Sequence, residues 1–464
     1  MRRPLTFSVA VRAFTLVCLA SLAVLSTACA PSGRKARESL ATEWEARIRH
    51  LADASLTSDE RVVRILEEAK RRDGASLLAL IHVMRDRSQA AFHLAPDASA
   101  TLGYRALETK DGEEGRDPLE RVAAIVALGN TGTPYQALPD LLLALDDREP
   151  LVANHAAHLL VKLGNRAGIP VLLKNLKGKI LACESAAEIL RTLSAGAVVL
   201  IPDSGHAAKA ESIEQAQAWW SKFQTSGALL VGEGRPYQKG QDAEADRRIQ
   251  FYVDVLGQFQ FLYHEQARRV FMRMGIPGLP FLREGIDVSR QAGNETLRGG
   301  IAQVLAEIDA RNSRDLLKDL LKDDRVAVRL RAALALGALK GEDSVAALKG
   351  ALSDPDASVI VGVLRGLGRT QSDQAVQILS AMDPKDDPDL KRARVLGLFE
   401  ASRGVRERSV VLSMLSAPAL NDRNQAHEAL VALTGERFDY DPLKGEEHGK
   451  AVADRYLEWW KTRP

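Results

Sequence analysis

A chain of 464 residues with 46% apolar composition exceeds what one hydrophobic core serves and can fill at least two packed modules. Aromatic residues make up only 5% of it while Ala and Leu abound, which favours helices packed through small and aliphatic side chains over a sheet rich in Val, Tyr and Phe. Its 63 basic and 61 acidic residues interleave, so there is no polybasic stripe of the kind nucleic acid requires, and no nucleic-acid partner is expected.

Arg2, Arg3 and Arg12 precede an apolar run from Ala13 to Leu25, too short and wrongly flanked for an ordinary membrane span, and residues 1–28 read as an export signal. Ala28-Cys29-Ala30 fits a small-x-small cleavage site, but Pro31 would then follow the scissile bond and obstruct it. The stretch Leu25-Ser26-Thr27-Ala28-Cys29 resembles the lipobox of bacterial lipoproteins, with Ser26 where Leu is usual. That resemblance implies lipidation of Cys29 and a membrane partner through that lipid. It also implies a place in the bacterial cell envelope, at the outer membrane or facing the periplasm. Without the three signal arginines the count becomes 60 basic against 61 acidic residues. On that reading Cys18 leaves with the signal and Cys29 carries lipid, so Cys183 remains alone and no intramolecular disulfide is available, while a secreted soluble protein or an uncleaved anchor is the alternative. Cys183, in "ILACESAAEIL", reads as a buried small residue of a helix, with no partner to activate it.

Residues 29–55 are expected to be a lipid-anchor tether followed by a leading helix, "RESLATEWEARIRHLADA". A first module, 56–223, opens with "TSDERVVRILEEAKRR", where Thr57 and Glu60 have the spacing of a capping box, and continues with "ASLLALIHVMRD". The stretch "ALETKDGEEGRDP" reads as an exposed loop. Three units of one kind follow: "RVAAIVALGNTGTPYQALPDLLLALDD" from Arg121, "HAAHLLVKLGNRAGIPVLLKNLKG" from His155 and "ESAAEILRTLS" from Glu184. Next comes "TSGALLVGEGRPYQKGQDAEADRR", with four glycines, a proline and no period, which predicts a linker or a surface loop over 224–247.

The second module, 248–464, repeats more strictly. Met274, Leu305, Leu336, Leu367 and Leu398 follow one another at a step of 31, and three residues before each stand Phe271, Ala302, Ala333, Leu364 and Val395, all apolar. Residues three apart share a helix face, so one helix per repeat is amphipathic in a fixed register. A turn and a second apolar stretch such as "SRDLLKDLL" complete a helical hairpin, which cannot bury its own face and must stack on its neighbours. Pro139, Pro170 and Pro280 fall where the second helix would start and a missing N–H costs nothing. Together with the Leu-Gly closing the first helix at Leu128-Gly129, Leu163-Gly164, Leu336-Gly337 and Leu367-Gly368, these residues resemble HEAT repeats of the phycobilisome-lyase-like type, over 118–195 and 264–435. The resemblance implies an all-α fold, an α/α superhelix in two tandem modules, and says little of function.

Of five tryptophans, four form the pairs Trp219-Trp220 and Trp459-Trp460, 240 residues apart. At that offset Ala186, Glu188, Leu190, Leu193, Pro202 and Gly205 also meet identical residues, eight identities in 35 positions, which argues for duplication. Each pair sits in a final helix after a departing loop. It reads as a cap on a stack whose last repeat would otherwise expose an apolar face; an aromatic ligand platform is the alternative.

Signs of chemistry are sparse. The sequence has no nucleophile elbow, phosphate-binding glycine loop, HExxH or CxxCH. His155 and His158, three apart on a helix, can share an ion, but no third ligand is evident. His264-Glu265 and His427-Glu428 resemble the His-Glu pairs with which HEAT-repeat deoxyhypusine hydroxylases hold two irons. That family needs four such pairs, and the first module offers Ala187-Glu188 at the aligned position. No metal and no cofactor are therefore expected. Lys174, Lys318 and Lys349 suggest a ladder on the second helices, but Leu143, Glu284 and Ser380 interrupt it and a solvated face explains them. The expectation is a non-enzymatic, lipid-anchored HEAT-repeat scaffold that binds another envelope protein or peptide. The alternatives are a HEAT-repeat enzyme, hydroxylase-like with a metal or lyase-like, and a structural spacer.

Overall fold

A computed structural model describes residues 43, 46–85, 117–199, 210–224, 226, 228–257, 261–308 and 310–462. The chain forms two compact units, Met1–Phe281 and Leu282–Pro464. Helices account for the ordered elements of both, and no strand occurs among the described residues.

In unit 1 a first row of helices consists of α1 (Ser58–Glu68), α3 (Pro118–Asn130), α5 (Pro150–Lys162) and α7 (Ile180–Leu193), packed side by side. The helices α2 (Gly74–Arg85), α4 (Leu138–Ala144), α6 (Ile169–Asn175) and α8 (Ala210–Phe223) supply the second members of the hairpins, with α2 on α4 and α6 on α8. The capping box is present: the Thr57 hydroxyl accepts the Glu60 N–H, and Glu60 Oε2 accepts the Thr57 N–H at 2.8 Å. Pro139 and Pro170 stand in the first turns of α4 and α6, each reached through a short 3₁₀ turn.

The stretch 224–247 is not a spacer. It lies within unit 1 and returns across the ends of earlier helices. The Gly234 N–H donates to Lys162 O at 3.0 Å and the Val231 N–H to Leu193 O at 3.2 Å, while Leu230 and Tyr237 are buried. Gly164 has φ +78, and a Cβ there would fall 2.5 Å from the Arg235 backbone. The glycines thus allow one backbone to lie against another, a use of glycine that composition does not separate from flexibility. The chain then forms α9 (Ala243–Val255), whose N-terminus Asp242 caps, and α10 (Phe261–Met274). Both pack on α4, midway along the stack, through an Arg248–Asp140 ion pair and an Arg273–Asp146 pair at 2.5 Å. The division between units therefore falls at Phe281–Leu282, some way beyond the expected 224–247.

Helix α11 (Leu279–Gln291) spans that division. In unit 2 the first row is α12 (Glu295–Ile308), α14 (Val326–Leu339), α16 (Ala357–Thr370), α18 (Pro388–Ala401) and α20 (Leu420–Thr434). The second members are α13 (Ala310–Leu320), α15 (Glu342–Gly350), α17 (Asp373–Ala381), α19 (Arg408–Met414) and α21 (Glu446–Thr462). The step of 31 is the core register: Leu305, Leu336 and Leu367 are 0% exposed, as are Ala302, Ala333 and Leu364. At about 25 cal/mol per Å² of buried apolar surface, this recurring stripe is what holds the stack together.

Two further devices keep the same step. Gly337 and Gly368 lie inside α14 and α16 rather than ending them; the helices stop at Lys340 and Gln371, whose φ values are 55 and 53. A Cβ on Gly337 would meet Gly366 O at 2.2 Å, and one on Gly368 would meet Gly397 Cα at 2.8 Å, so successive first-row helices touch backbone to backbone. The second device is electrostatic. Arg298 donates to Asp323 at 3.0 Å and Arg329 to Asp354 at 2.8 Å, while each carboxylate also accepts an N–H two residues on. In unit 1 the fully buried Arg121–Asp147 pair plays this part. Such carboxylates clamp the turn into the next repeat, held by an arginine on one side and a backbone N–H on the other.

Candidate functional site

The two helices that carry the tryptophan pairs hold equivalent places. Helix α8 packs on α6 and α21 packs on α19, so each is the last second-row member of its stack. The inner face of α8 buries Ser212, Ile213, Ala216 and Trp219, and that of α21 buries Gly449, Val452 and Tyr456. Their outer faces are polar. Glu211, Glu214 and Lys222 are exposed on α8, and Lys450–Glu446 and Lys461–Glu458 pair on α21 at 2.6 and 2.5 Å. A helix apolar inside and charged outside is what a terminal repeat needs.

The pairs are not set identically. Trp219 is 9% exposed, with its ring 5.3 Å from Phe223 and 6.4 Å from Trp220. In unit 2 it is Trp460 that packs against the buried cluster of Leu396, Phe399, Leu430 and Tyr456. Its ring meets Phe399 edge-on at 6.2 Å, the Arg408 guanidinium lies 4.5 Å over it, and Trp459 stands perpendicular to it at 5.6 Å. The loop into α21 is fastened by Tyr456 donating to Glu436 O at 2.6 Å and by Tyr440 donating to Leu415 O at 2.7 Å. Tyr440 is flanked by His427 at 4.7 Å and His448 at 5.7 Å, and His448 Nε2 accepts the Asp441 N–H. Sequence reasoning missed this fastening, because its parts come from two helices and a loop and follow no period.

The candidate ligands take structural partners. His155 Nδ1 is 2.9 Å from Leu151 O, and burial, helped by Lys162 and His155, pushes the half-buried His158 imidazole down to about 4. Glu265 is occupied by Arg268 at 2.7 Å and Arg269 at 2.9 Å; the hydrogen bond from Arg268, with that from Arg269 behind it, brings its carboxyl to about 2. His264 precedes it in unit 1. His427 lies in unit 2 with Nε2 3.3 Å from Arg437 O, its pKa lowered by burial, and Glu428 is exposed. Among the described residues no three His, Cys, Asp or Glu groups converge as ligands of one ion. Cys183 is buried, as a packing residue of α7. Cys29 and the whole of 1–28 lie outside the described residues, and among those described no helix is long and apolar enough to cross a membrane.

No curated protein matches the sequence. Among solved structures the chain is similar to human deoxyhypusine hydroxylase in complex with glycerol, at 17% identity over 74% of this chain and 99% of that one, with a TM-score of 0.23. It is also similar to importin beta, at 11% identity over 91% and 54% of the two chains with a TM-score of 0.29. A chain of the Pds5–Scc1 complex shares 10% identity over 93% and 66%, with a TM-score of 0.24. At these scores none of them bears on activity or partners. The profile of HEAT repeats matches residues 113–189, 283–362 and 328–398. With paired helices stacked in a repeating register at those residues, the chain carries HEAT repeats there, and its described residues are all-α.

Proposed function

We propose that the chain is a lipid-anchored scaffold of the bacterial cell envelope, whose stacked helices offer an extended surface to another envelope protein or peptide. The observation that carries this reading is the build of the two terminal helices. Each stack is closed at its far end by a helix with a charged outer face, so the surfaces left for a partner are the flanks of the rows, as in solenoids that bind along their length. The anchoring half of the reading rests on the sequence around Cys29. Lipid at about 0.8 kcal/mol per buried CH₂ makes several acyl chains a durable anchor.

The test has two arms. The mature N-terminal peptide should begin at Cys29 and carry acyl mass, and Cys29→Ala should abolish it; an unmodified Cys29 would end the lipid reading. Protein cross-linked in its own membranes should join one envelope protein through flank residues of the helical rows, and elemental analysis should find no stoichiometric metal. One or two irons per chain, lost in His264→Ala or His427→Ala, would replace the scaffold with the hydroxylase-like enzyme.

A further inference from the structure

The turn between α6 and α7 differs from its counterparts. Four turns that lead into a first-row helix carry aspartates, at Asp146 and Asp147, Asp323 and Asp324, Asp354 and Asp356, and Asp386 and Asp387, whereas those into α12 and α20 carry none over 292–294 and 415–419. In the α6–α7 turn the corresponding stretch reads Leu176-Lys177-Gly178-Lys179, with Lys174 one helical turn before it. All three lysines are exposed, and none makes an ion pair among the described residues. The first two residues of α7 are Ile180 and Leu181, 49% and 69% exposed.

The aliphatic start is shared in part: at the place of Leu181, the second residue of a first-row helix, α3 and α5 of unit 1 have Leu119, 51% exposed, and Leu151, whereas unit 2 has Thr296, Ala327, Ser358, Asp389 and Asn421, so the lysines are what sets this turn apart. The turn is nonetheless rigid. Where the repeats of Arg121, Arg298 and Arg329 use an Arg–Asp pair, this one uses two amides: Asn175 Nδ2 donates to Asn154 Oδ1 at 2.8 Å, and Asn154 Nδ2 donates to Ala182 O at 2.9 Å. A neutral clamp replaces an ionic one, which leaves the turn with three positive charges and no counter-charge.

We propose that this turn is a membrane-contact site for an anionic phospholipid surface, with Lys174, Lys177 and Lys179 meeting headgroup phosphates and Ile180 and Leu181 entering the acyl boundary. Two adjacent aliphatic side chains projecting from a turn present a wedge and cannot enclose a partner's side chain, whereas a bilayer interface accepts a wedge. Lysine is a compact charge on a long stem, suited to many mobile phosphates, while fixed carboxylates on a protein are better met by the fork of arginine. The charge complementarity favours lipid over an acidic protein. The site goes beyond the scaffold reading and does not need Cys29 to be acylated.

The experiment is vesicle flotation at low ionic strength with the full mature chain carrying Cys29→Ser, so that no acyl chain contributes. Phosphatidylglycerol in phosphatidylcholine should retain it, phosphatidylcholine alone should not, and salt should release it. Since one lysine near an anionic surface is worth about fivefold, Lys174→Glu, Lys177→Glu and Lys179→Glu together should weaken retention at least about a hundredfold. Ile180→Ser with Leu181→Ser should weaken it about tenfold or more, and Lys349→Glu in unit 2 should leave it unchanged. All these side chains are exposed, and an unaltered melting curve confirms the fold of each variant. Equal retention on both vesicles, none on either, or indifference to the lysine or the apolar variants would overturn the site. Because the tested chain lacks the lipidated cysteine, such a failure leaves the anchor to be judged on its own peptide.

Discussion

Arg166 holds Glu233 at 2.7 Å, and the same guanidinium donates to Phe223 O at 2.6 Å, so one side chain ties the returning segment to the last residue of α8. Glu233 is almost wholly buried, which makes its carboxylate costly to leave without a partner. Breaking a pair of this kind costs about 3–5 kcal/mol in a fully buried setting, and the partial exposure of Arg166 argues for the lower end. Arg166→Ala should therefore lower the melting temperature of unit 1 and expose 228–242 to protease, which should spare those residues in the parent chain. Cleavage there in the parent protein at the rate of the variant would show that the segment is a free linker after all.

The backbone contacts between first-row helices make opposite forecasts for two glycines. At Gly366 a Cβ would fall 2.5 Å from Ala333 O, whereas at Gly350 nothing lies within 4 Å. Overpacking of a tight interface costs about 1–3 kcal/mol, while Gly→Ala at an unstrained helical site is worth up to about 1 kcal/mol in the other direction. Gly366→Ala should lower the denaturant midpoint of unit 2 and Gly350→Ala should leave it equal or raise it. If both substitutions move the midpoint the same way, close helix approach is not what the step of 31 preserves at Gly366.

Half-buried His158 gives unit 1 an acid sensitivity. Its folded-state pKa is about 4 against an ordinary 6.5, so the unfolded chain binds the proton more readily across that interval. Stability is then full above about pH 6.5 and is lost as pH falls toward 4, a loss of roughly 1–2 kcal/mol once the partial exposure of the ring is allowed for. His158→Gln should flatten that part of the stability curve of unit 1. An unchanged slope between pH 4 and 6.5 would place the sensitivity elsewhere.

What could be read from the sequence, and what could not, follows from which features repeat. Leu305, Leu336 and Leu367 declare the core because the same demand returns every 31 residues. The pairing of Arg298 with Asp323 and of Arg329 with Asp354 keeps the same step, yet charges are ordinarily solvated, so the recurrence alone does not mark them as buried partners. Gly164 and Gly234 could not be read at all, since glycine supports both a loose segment and a backbone laid against another. The His-Glu pairs show the converse: Glu265 looks like a ligand until Arg268 and Arg269, one helical turn away, are seen to take both its oxygens.

The tryptophan pairs carry the last forecast. Sequence treats Trp219-Trp220 and Trp459-Trp460 as equivalent, and both lie on the last second-row helix of a stack, but the rings that reach the interior are Trp219 in one and Trp460 in the other. In a solenoid each repeat touches only its neighbours, so removing a terminal ring should loosen its own stack and hardly the other. Truncating a large buried aromatic costs about 3–5 kcal/mol. The losses of the Phe399 edge contact and the Arg408 stacking belong to that sum in Trp460→Ala. Hydrogen exchange in Trp460→Ala should therefore rise over 408–462 and stay level over 118–193, with the reverse pattern in Trp219→Ala, and Trp220→Ala should do less than Trp219→Ala. A ligand platform makes a different forecast, since its rings would be dispensable for stability. Exchange that stays level throughout in both Trp219→Ala and Trp460→Ala would favour that platform over the cap.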